Sequence, residues 1–218
     1  MAQIFQPGAN AIARAVLIGL LAVPVALATL GGWLVRSSYS TQVDRFIEQP
    51  VPFSHKHHVG GLGIDCRYCH NSVEDAAFAG MPPTRTCMTC HSQLWTNAEM
   101  LAPVRESLQS GKPLRWQRVH DLPDYVYFDH SIHLAKGIGC TTCHGQVDRM
   151  PLMQKANSLT MGWCLECHRA PEKYLRPKDK LFSTDWQPPR DQAAEGRRLA
   201  RLYHVSGENL TDCSICHR

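Results

Sequence analysis

The sequence predicts a mainly helical, loop-rich protein with one N-terminal helix that spans a membrane. Three observations lead to this fold class. Residues 15–35 form a run of 21 residues without a charge, and no long periodic apolar pattern follows residue 36. The 14 Pro and 15 Gly among 218 residues favour long ordered loops. All ten cysteines fall into five Cys-x-x-Cys pairs, and a histidine follows each pair directly.

The N-terminal run is long enough to cross a bilayer. As a helix, 21 residues span about 31 Å, which is the thickness of the hydrocarbon core. Pro24 is tolerated in a membrane helix, and Trp33 is placed as an interfacial aromatic residue. The segment Ala26-Leu27-Ala28 also matches a signal-peptidase site, but the apolar run is longer than the core of a signal peptide. We therefore expect an uncleaved anchor.

The five cysteine motifs predict covalently bound haem. A zinc ribbon needs two cysteine pairs for each metal ion, and a redox-active dithiol occurs once in a domain. Cys-x-x-Cys-His is instead the attachment signature of c-type haem, in which two thiols bind the vinyl groups and the histidine binds the iron. The sequence therefore predicts five haem c groups with a proximal histidine each. The motifs are Cys66/Cys69/His70, Cys87/Cys90/His91, Cys140/Cys143/His144, Cys164/Cys167/His168 and Cys213/Cys216/His217.

An internal repeat supplies four further histidines. Each copy holds a Phe-x-His-x-x-His segment and two haem motifs, and the spacing from Phe to the first Cys is 13 residues in one copy and 12 in the other. Histidines duplicated beside duplicated haem motifs are expected to be distal iron ligands. The matched residues are Phe53, His55 and His58 in the first copy and Phe128, His130 and His133 in the second.

The fifth haem has no distal ligand from the repeat. The first-choice candidates are His120, Met153 and Met161, with His204 behind them. A methionine ligand would raise the reduction potential of the haem relative to imidazole. A vacant sixth position would instead allow substrate chemistry at that iron.

The motifs divide the chain into six parts. These are a cytoplasmic N-terminus (1–11), a transmembrane helix (12–35), a linker (36–52), a first dihaem unit with a connector helix (53–127), a second dihaem unit (128–178) and a C-terminal segment with the fifth haem (179–218). The connector helix is predicted to begin with a capping box at Thr96-x-x-Glu99 and to end at Gly111, and another helix is predicted over about 191–205.

Phe-x-His-x-x-His with clustered Cys-x-x-Cys-His resembles the class III multihaem cytochrome c core. Together with "MPPTRTCMTCH", "WQRVHDLPDYVYFDHSIH" and "MGWCLECHR", it resembles the membrane-anchored pentahaem subunit of bacterial alternative complex III, over nearly all of residues 12–218. A hexahaem subunit of quinone reductase complexes shares much of this pattern. The resemblance implies that a neighbouring subunit, among iron–sulfur and integral membrane subunits, oxidises menaquinol. The haems then pass electrons to a periplasmic cytochrome c, copper protein or oxidase. The resemblance also favours His120, which lies in a matched segment.

We therefore expect a non-catalytic electron-transfer subunit in the bacterial inner membrane. Its haem domain is expected in the periplasm, because haem c is attached on that side. The alternatives are a multihaem reductase with one open-coordination haem and a self-contained membrane-anchored quinol dehydrogenase. Nucleic acid is excluded as a partner, because five ferric haems that each add −1 reduce the net charge of +4 to roughly −1.

Overall fold

The computed structural model describes residue 6 and residues 8–217, and the chain divides into two compact units between Val43 and Asp44. The unit before this boundary contains helix α1, Ala9–Arg36, and a short helix α2, Ser38–Thr41. The 28 residues of α1 include the predicted anchor, with a mean hydropathy of 2.3 in the most apolar stretch. This helix is long and apolar enough to cross a membrane, although a signal sequence would pass the same test.

The unit from Asp44 onward is built from short helices and ordered loops, which confirms the predicted fold class. Its described residues contain no β-strand, and an isolated antiparallel bridge joins Phe46 and Gln154. The α-helices are α3 (Cys66–Cys69), α4 (Thr84–His91), α5 (Ala102–Ser110), α6 (His130–Ala135), α7 (Cys140–His144), α8 (Met161–Arg169), α9 (Gln192–Leu202) and α10 (Cys213–Cys216). A π-helical turn covers Lys56–Gly61, and 3₁₀ turns cover Glu99–Leu101, Val147–Arg149, Pro171–Lys173 and Lys178–Lys180.

Two of these helices test the boundaries predicted from sequence. Helix α9 is confirmed, and the Asp191 carboxylate caps it by accepting a hydrogen bond from the main-chain N–H of Ala194. Helix α5 ends at Gly111 with a φ of 69°, as predicted. The prediction of a capping box at the start of this helix was wrong. The chain enters α5 through the 3₁₀ turn, and no side chain caps either segment.

The protein core is small and lies against the second set of cysteine motifs. Leu175 and Leu199 are each 1% exposed and form one cluster with Ile138. Cys143 and Cys167 pack against this cluster from their motif helices. A second cluster joins three buried residues, Val73, Leu134 and Leu181.

Candidate functional site

Each cysteine pair occupies one turn of a short helix. In α3 and α10 the helix consists of the Cys-x-x-Cys residues alone, and in α4, α7 and α8 it extends to the histidine or beyond. Residues three apart on a helix lie on the same face. Both thiols of a motif can therefore face one ligand, and the histidine follows them directly in the chain.

The ten predicted attachment cysteines differ in exposure, although their motifs are equivalent in sequence. Cys90 and Cys213 are exposed. Cys90 lies near the end of α4, and at the start of this helix the hydroxyls of Thr84 and Ser107 lie 2.7 Å apart. Attachment of haem at all ten thiols stays a prediction. The half-buried cysteines are Cys66, Cys69, Cys87, Cys140, Cys143, Cys164, Cys167 and Cys216.

The two Phe-x-His-x-x-His segments have nearly the same geometry. Phe53 stacks on His58 with ring centres 4.4 Å apart and meets His55 edge-on at 4.9 Å. In the second segment, Phe128 stacks on the last histidine at 4.4 Å and meets the first edge-on at 4.8 Å. The phenylalanine therefore fixes the directions of both imidazoles, which explains why it belongs to the repeat.

The residue between the phenylalanine and the first histidine positions the segment through hydrogen bonds. The Asp129 carboxylate accepts hydrogen bonds from the main-chain N–H of Ser131 and Ile132 and thereby caps α6. The main-chain carbonyl oxygen of Asp129 accepts the Nδ1–H of His133 at 2.6 Å. Ser54 has the same two roles in the first copy. Its hydroxyl accepts the main-chain N–H of His57 at 3.2 Å, and its carbonyl accepts the Nδ1–H of His58 at 2.9 Å. The sequence reasoning missed this position, although a capping residue type stands there in both copies.

Three pairs of histidines face each other at a distance that fits one metal ion between them. An imidazole nitrogen lies about 2 Å from a metal ion that it binds, and the ring centre about 1 Å further out, so two imidazoles on opposite sides of one ion have centres about 6 Å apart. The pairs with this spacing are His58 and His91 at 6.2 Å, His130 and His144 at 6.3 Å, and His133 and His168 at 6.2 Å. Each pair joins one histidine of the repeat segment to one motif histidine, and the residues therefore fit bis-histidine haem.

The Nδ1 atoms of these histidines are occupied by hydrogen bonds, which leaves Nε2 for a metal ion. Seven of the histidines donate Nδ1–H to a main-chain carbonyl oxygen. These pairs are His58 with Ser54, His70 with Gly80, His91 with Leu94, His130 with Ala77, His133 with Asp129, His168 with Leu210 and His217 with Tyr125, at 2.6–3.1 Å. His144 differs, because its Nδ1 faces the Nε2 of His120 at 3.2 Å.

Burial keeps several of these imidazoles neutral. The pKa of His55 is lowered to about 4, first by burial and then by the neighbouring His70 and His58. Burial is also the main reason why the pKa of His144 falls to about 3 and that of His120 to about 4. A neutral imidazole has the lone pair that a metal ion requires.

Specific contacts join neighbouring motifs. The hydroxyl groups of Tyr68, in the first motif, and Thr89, in the second, are 2.7 Å apart. The carbonyl groups of Ala77 and Gly80, in one loop, hold His130 and His70. The third and fourth motifs meet through Cys143 and Cys167 on one apolar cluster.

The fifth motif lies beside the fourth and beside the segment that leads into α6. Leu210, three residues before Cys213, accepts the hydrogen bond from His168 at 2.7 Å. The main-chain N–H of Tyr127 donates to the carbonyl of Cys216 at 2.8 Å. The pKa of the Cys164 thiol is raised by burial first and then by the neighbouring Cys216.

Comparison with known proteins agrees with this geometry. Residues 126–218 match the family described as cytochrome c7 and related cytochrome c. The chain is also 33% identical over 183 residues to the protein named "Menaquinone reductase, multiheme cytochrome c subunit" of Nitratidesulfovibrio vulgaris strain Hildenborough. The match covers 78% of this chain and 77% of that protein. The chain is a multihaem cytochrome c. It belongs to the family of that subunit.

The candidates for the fifth distal ligand lie in different surroundings within the cytochrome. Met161 begins α8 and is 67% exposed, one helical turn before Cys164. Met153 is half-buried, and His204 is exposed at a left-handed position with a φ of 52°. His120 contacts His144.

A buried arginine supports the third motif of the cytochrome. Arg176 is 3% exposed, and its guanidinium donates to the hydroxyls of Thr141 and Thr142, the two residues between Cys140 and Cys143, at 3.0 and 2.9 Å. It also stacks over the ring of Trp186 at 4.4 Å. The sequence reasoning missed this residue, because a single arginine in a loop carries no signal of burial.

Proposed function

We propose that this cytochrome is the non-catalytic electron-relay subunit of a membrane quinol-oxidising complex and carries five covalently bound haem c groups. The three histidine pairs spaced at 6.2–6.3 Å carry this proposal. Haem supplies one-electron chemistry, and axial histidines on both sides leave no open position for a substrate. The chain itself contributes the ligands, their orientation and the order of the sites.

The pairing of ligands follows the repeat. The first histidine of each Phe-x-His-x-x-His segment serves the first haem motif of its unit, and the second histidine serves the second motif. His130 with His144 and His133 with His168 support this rule in the second unit, and His58 with His91 supports it in the first. By the same rule His55 is assigned to His70, which has the largest electrostatic influence on the pKa of His55 among its neighbours.

For the fifth haem, we favour Met161 as the partner of His217. Met161 lies one turn before Cys164, and Cys164 neighbours Cys216 of the fifth motif. Its thioether is exposed rather than packed in the core. Replacement of Met161 by Leu is expected to convert one haem to a high-spin form that binds carbon monoxide. Met153→Leu is the matched control, and the assignment fails if only this control produces that form.

The contacts between motifs give an order for the relay that differs from the order in sequence. Tyr68 and Thr89 join the first motif to the second, and the loop with Ala77 and Gly80 joins the first to the third. The third meets the fourth on the apolar cluster, and the fourth meets the fifth at Leu210. The inferred order is second, first, third, fourth, fifth.

Electrons would then enter or leave near the second and fifth motifs, at the two ends of this order. The exposed cysteines Cys90 and Cys213 belong to these two motifs. A haem that exchanges electrons with another protein needs an accessible edge, so the haems of these two motifs are expected to lie at the surface.

The N-terminal helix is proposed to anchor the cytochrome in the inner membrane, with the haem unit in the periplasm. This agrees with the length and apolar composition of α1 and with the site of haem c attachment. Menaquinol would be oxidised to menaquinone in a neighbouring subunit, which releases two protons and two electrons. The electrons would pass singly to a periplasmic cytochrome c, copper protein or oxidase, as in alternative complex III.

The opposite direction is the second candidate. The relative from Nitratidesulfovibrio vulgaris is named as a subunit of a menaquinone reductase, in which electrons would reach the quinone. The two directions are distinguished with the purified complex under anaerobic conditions. In quinol oxidation, a menaquinol analogue reduces the haems and an added high-potential cytochrome c reoxidises them. In quinone reduction, a reduced low-potential cytochrome supplies electrons and the menaquinone analogue removes them.

The experiment that tests the relay itself is a potentiometric titration of the purified cytochrome, combined with EPR and carbon monoxide difference spectra. The expected result is five low-spin haems per chain that do not bind carbon monoxide. A stoichiometric high-spin haem that binds carbon monoxide in the unaltered protein would contradict the proposal. It would favour a multihaem reductase or a self-contained quinol dehydrogenase instead.

A further inference from the structure

His144 is distinguished from the other motif histidines by its hydrogen-bond partner. The other four motif histidines donate Nδ1–H to main-chain carbonyl oxygens of Gly80, Leu94, Leu210 and Tyr125. At His144 the Nδ1 faces the side chain of His120, with 3.2 Å between the nitrogen atoms. The ring centres lie 4.3 Å apart and the ring planes make an angle of 74°.

The direction of this hydrogen bond follows from the pairing of His144 with His130. The Nδ1–H of His130 is donated to the carbonyl of Ala77, and the two rings face each other 6.3 Å apart and nearly parallel. If Nε2 of His144 binds iron, the remaining proton of this neutral imidazole lies on Nδ1. His144 is then the donor, and the Nε2 lone pair of His120 is the acceptor.

An imidazole nitrogen is a stronger base than a peptide carbonyl oxygen. It therefore withdraws the Nδ1 proton further and makes the ligand more basic, as outer hydrogen bonds to metal-bound histidines do. A more basic ligand stabilises the ferric state over the ferrous state, so the reduction potential of that haem falls. Burial of His144 strengthens the effect, because hydrogen bonds are electrostatically stronger at low dielectric.

We propose that His120 is a positioning residue that accepts the Nδ1–H of His144, orients this ligand and lowers the potential of the third haem, rather than a distal ligand of the fifth haem. This inference rests on the proposed function, since it requires His144 to bind iron through Nε2. In the inferred motif order, the third haem is the middle one. His120 therefore sets the potential at the centre of the relay.

The test uses His120→Leu, which removes the acceptor, and His120→Gln, which replaces imidazole by a weaker amide acceptor. His57→Leu is the matched control, because His57 is exposed and belongs to no pair at iron-bridging distance. Each full-length protein is titrated potentiometrically and examined by EPR and by carbon monoxide difference spectra. In His120→Leu all five haems are expected to stay low-spin, and one midpoint is expected to rise by a tenfold change in its redox equilibrium, about 59 mV for one electron. In His120→Gln the same midpoint is expected to rise by less, and in His57→Leu none should move.

Two results would overturn the inference. A high-spin haem that binds carbon monoxide in both His120 variants would make His120 an iron ligand. Five unchanged midpoints in both variants would mean that the hydrogen bond has no influence on the haem. If His120→Leu does not accumulate, the direction of the shift in His120→Gln decides alone. Failure of the proposed function is recognised separately, since the unaltered protein would then have fewer than five low-spin haems.

Discussion

The two dihaem units share one motif order, but the first is one residue longer between its phenylalanine and its first cysteine. The structure places this extra residue in the π-helical turn Lys56–Gly61, whereas the second unit has the regular helix α6. In both units the carbonyl of the last histidine of the Phe-x-His-x-x-His segment accepts a hydrogen bond from an isoleucine N–H. The isoleucine is Ile64, six residues after His58, and Ile138, five residues after His133. A wider helical turn therefore absorbs the insertion and keeps the histidine geometry.

The units differ more in how their motifs are supported. In the second unit, Cys143 lies against the buried cluster and Arg176 holds the residues between its cysteines. In the first unit, the helix α3 is capped by Asp65, and its link to the second motif runs through the exposed Tyr68. This difference shows that a local segment is sufficient to orient the histidines of the Phe-x-His-x-x-His repeat. Support of the attachment motifs is a tertiary feature, and the protein core provides it mainly in the second unit.

The largest expected effect comes from the arginine that has no equivalent in the first unit. Arg176→Met should lower the free energy of unfolding by about 3 kcal/mol, because it removes charged donors and leaves buried polar groups without partners. These groups are the hydroxyls of Thr141 and Thr142 and the carbonyls of Lys180 and Ser183. Guanidinium unfolding of the ferric protein, followed by far-UV circular dichroism, measures the change. Arg169→Met, at an exposed arginine after the fourth motif, is the control and should change stability by less than about 0.5 kcal/mol. Equal effects of the two substitutions would contradict a special role of the second unit.

The next effect concerns the place where the π-helical turn packs against Val147–Arg149 of the second unit. A Cβ atom on Gly60 would meet the carbonyl oxygen of Asp148 well inside van der Waals contact, and this main-chain atom has little freedom to move. Gly60→Ala should therefore cost about 2–3 kcal/mol of stability. Gly61→Ala is the matched control, since its nearest atom would lie at 3.7 Å, an ordinary contact. A neutral Gly60→Ala would mean that the π-helical turn does not pack closely against the second unit.

Sequence reasoning succeeded where the chemistry is local. The spacing of Cys66, Cys69 and His70 predicts one helical turn, and α3 has that turn. The helix predicted over about 191–205, before the fifth motif, is confirmed as α9. The length of the uncharged N-terminal run predicts α1. In each case the determining interactions lie within a few residues along the chain.

It failed where the determining partner is distant in sequence. Ala77 holds His130 across 53 residues, and His120 faces His144 across 24. The spatial order of the motifs depends on such contacts, and spacing along one chain does not encode them. The exposure of Cys90 is another feature that the spacing does not predict, because identical motif spacing carries no information on what packs against each motif.

The capping box at Thr96 failed for a different reason. The preference of Thr and Glu for this arrangement is weak against the 3₁₀ turn that the chain adopts at Glu99–Leu101. A local signal of this size is therefore overridden by the surrounding structure, whereas the ten cysteines and their spacing are not.

A smaller effect separates the two capping residues of the repeat. Asp129 accepts hydrogen bonds from two main-chain N–H groups and the Ser131 hydroxyl, whereas the Ser54 hydroxyl accepts one main-chain N–H, from His57, at 3.2 Å. Asp129→Ala should cost about 1–2 kcal/mol and Ser54→Ala about 0.5–1 kcal/mol. Unfolding curves of the two variants measure this difference. The reverse ranking would show that the π-helical turn depends on its cap more than α6 does.

The smallest effect concerns the hydrogen bond between the first and second motifs. Tyr68 and Thr89 meet through their hydroxyl groups at the surface, where water competes for both. Tyr68→Phe and Thr89→Val should each cost about 0.5–1 kcal/mol, as expected for a neutral hydrogen bond. In the double variant the two losses should not add, because both substitutions remove the same interaction. A double-mutant cycle of unfolding free energies measures this coupling. Strict additivity would show that the contact is not formed in solution, and the second motif would then lose its direct side-chain link to the first.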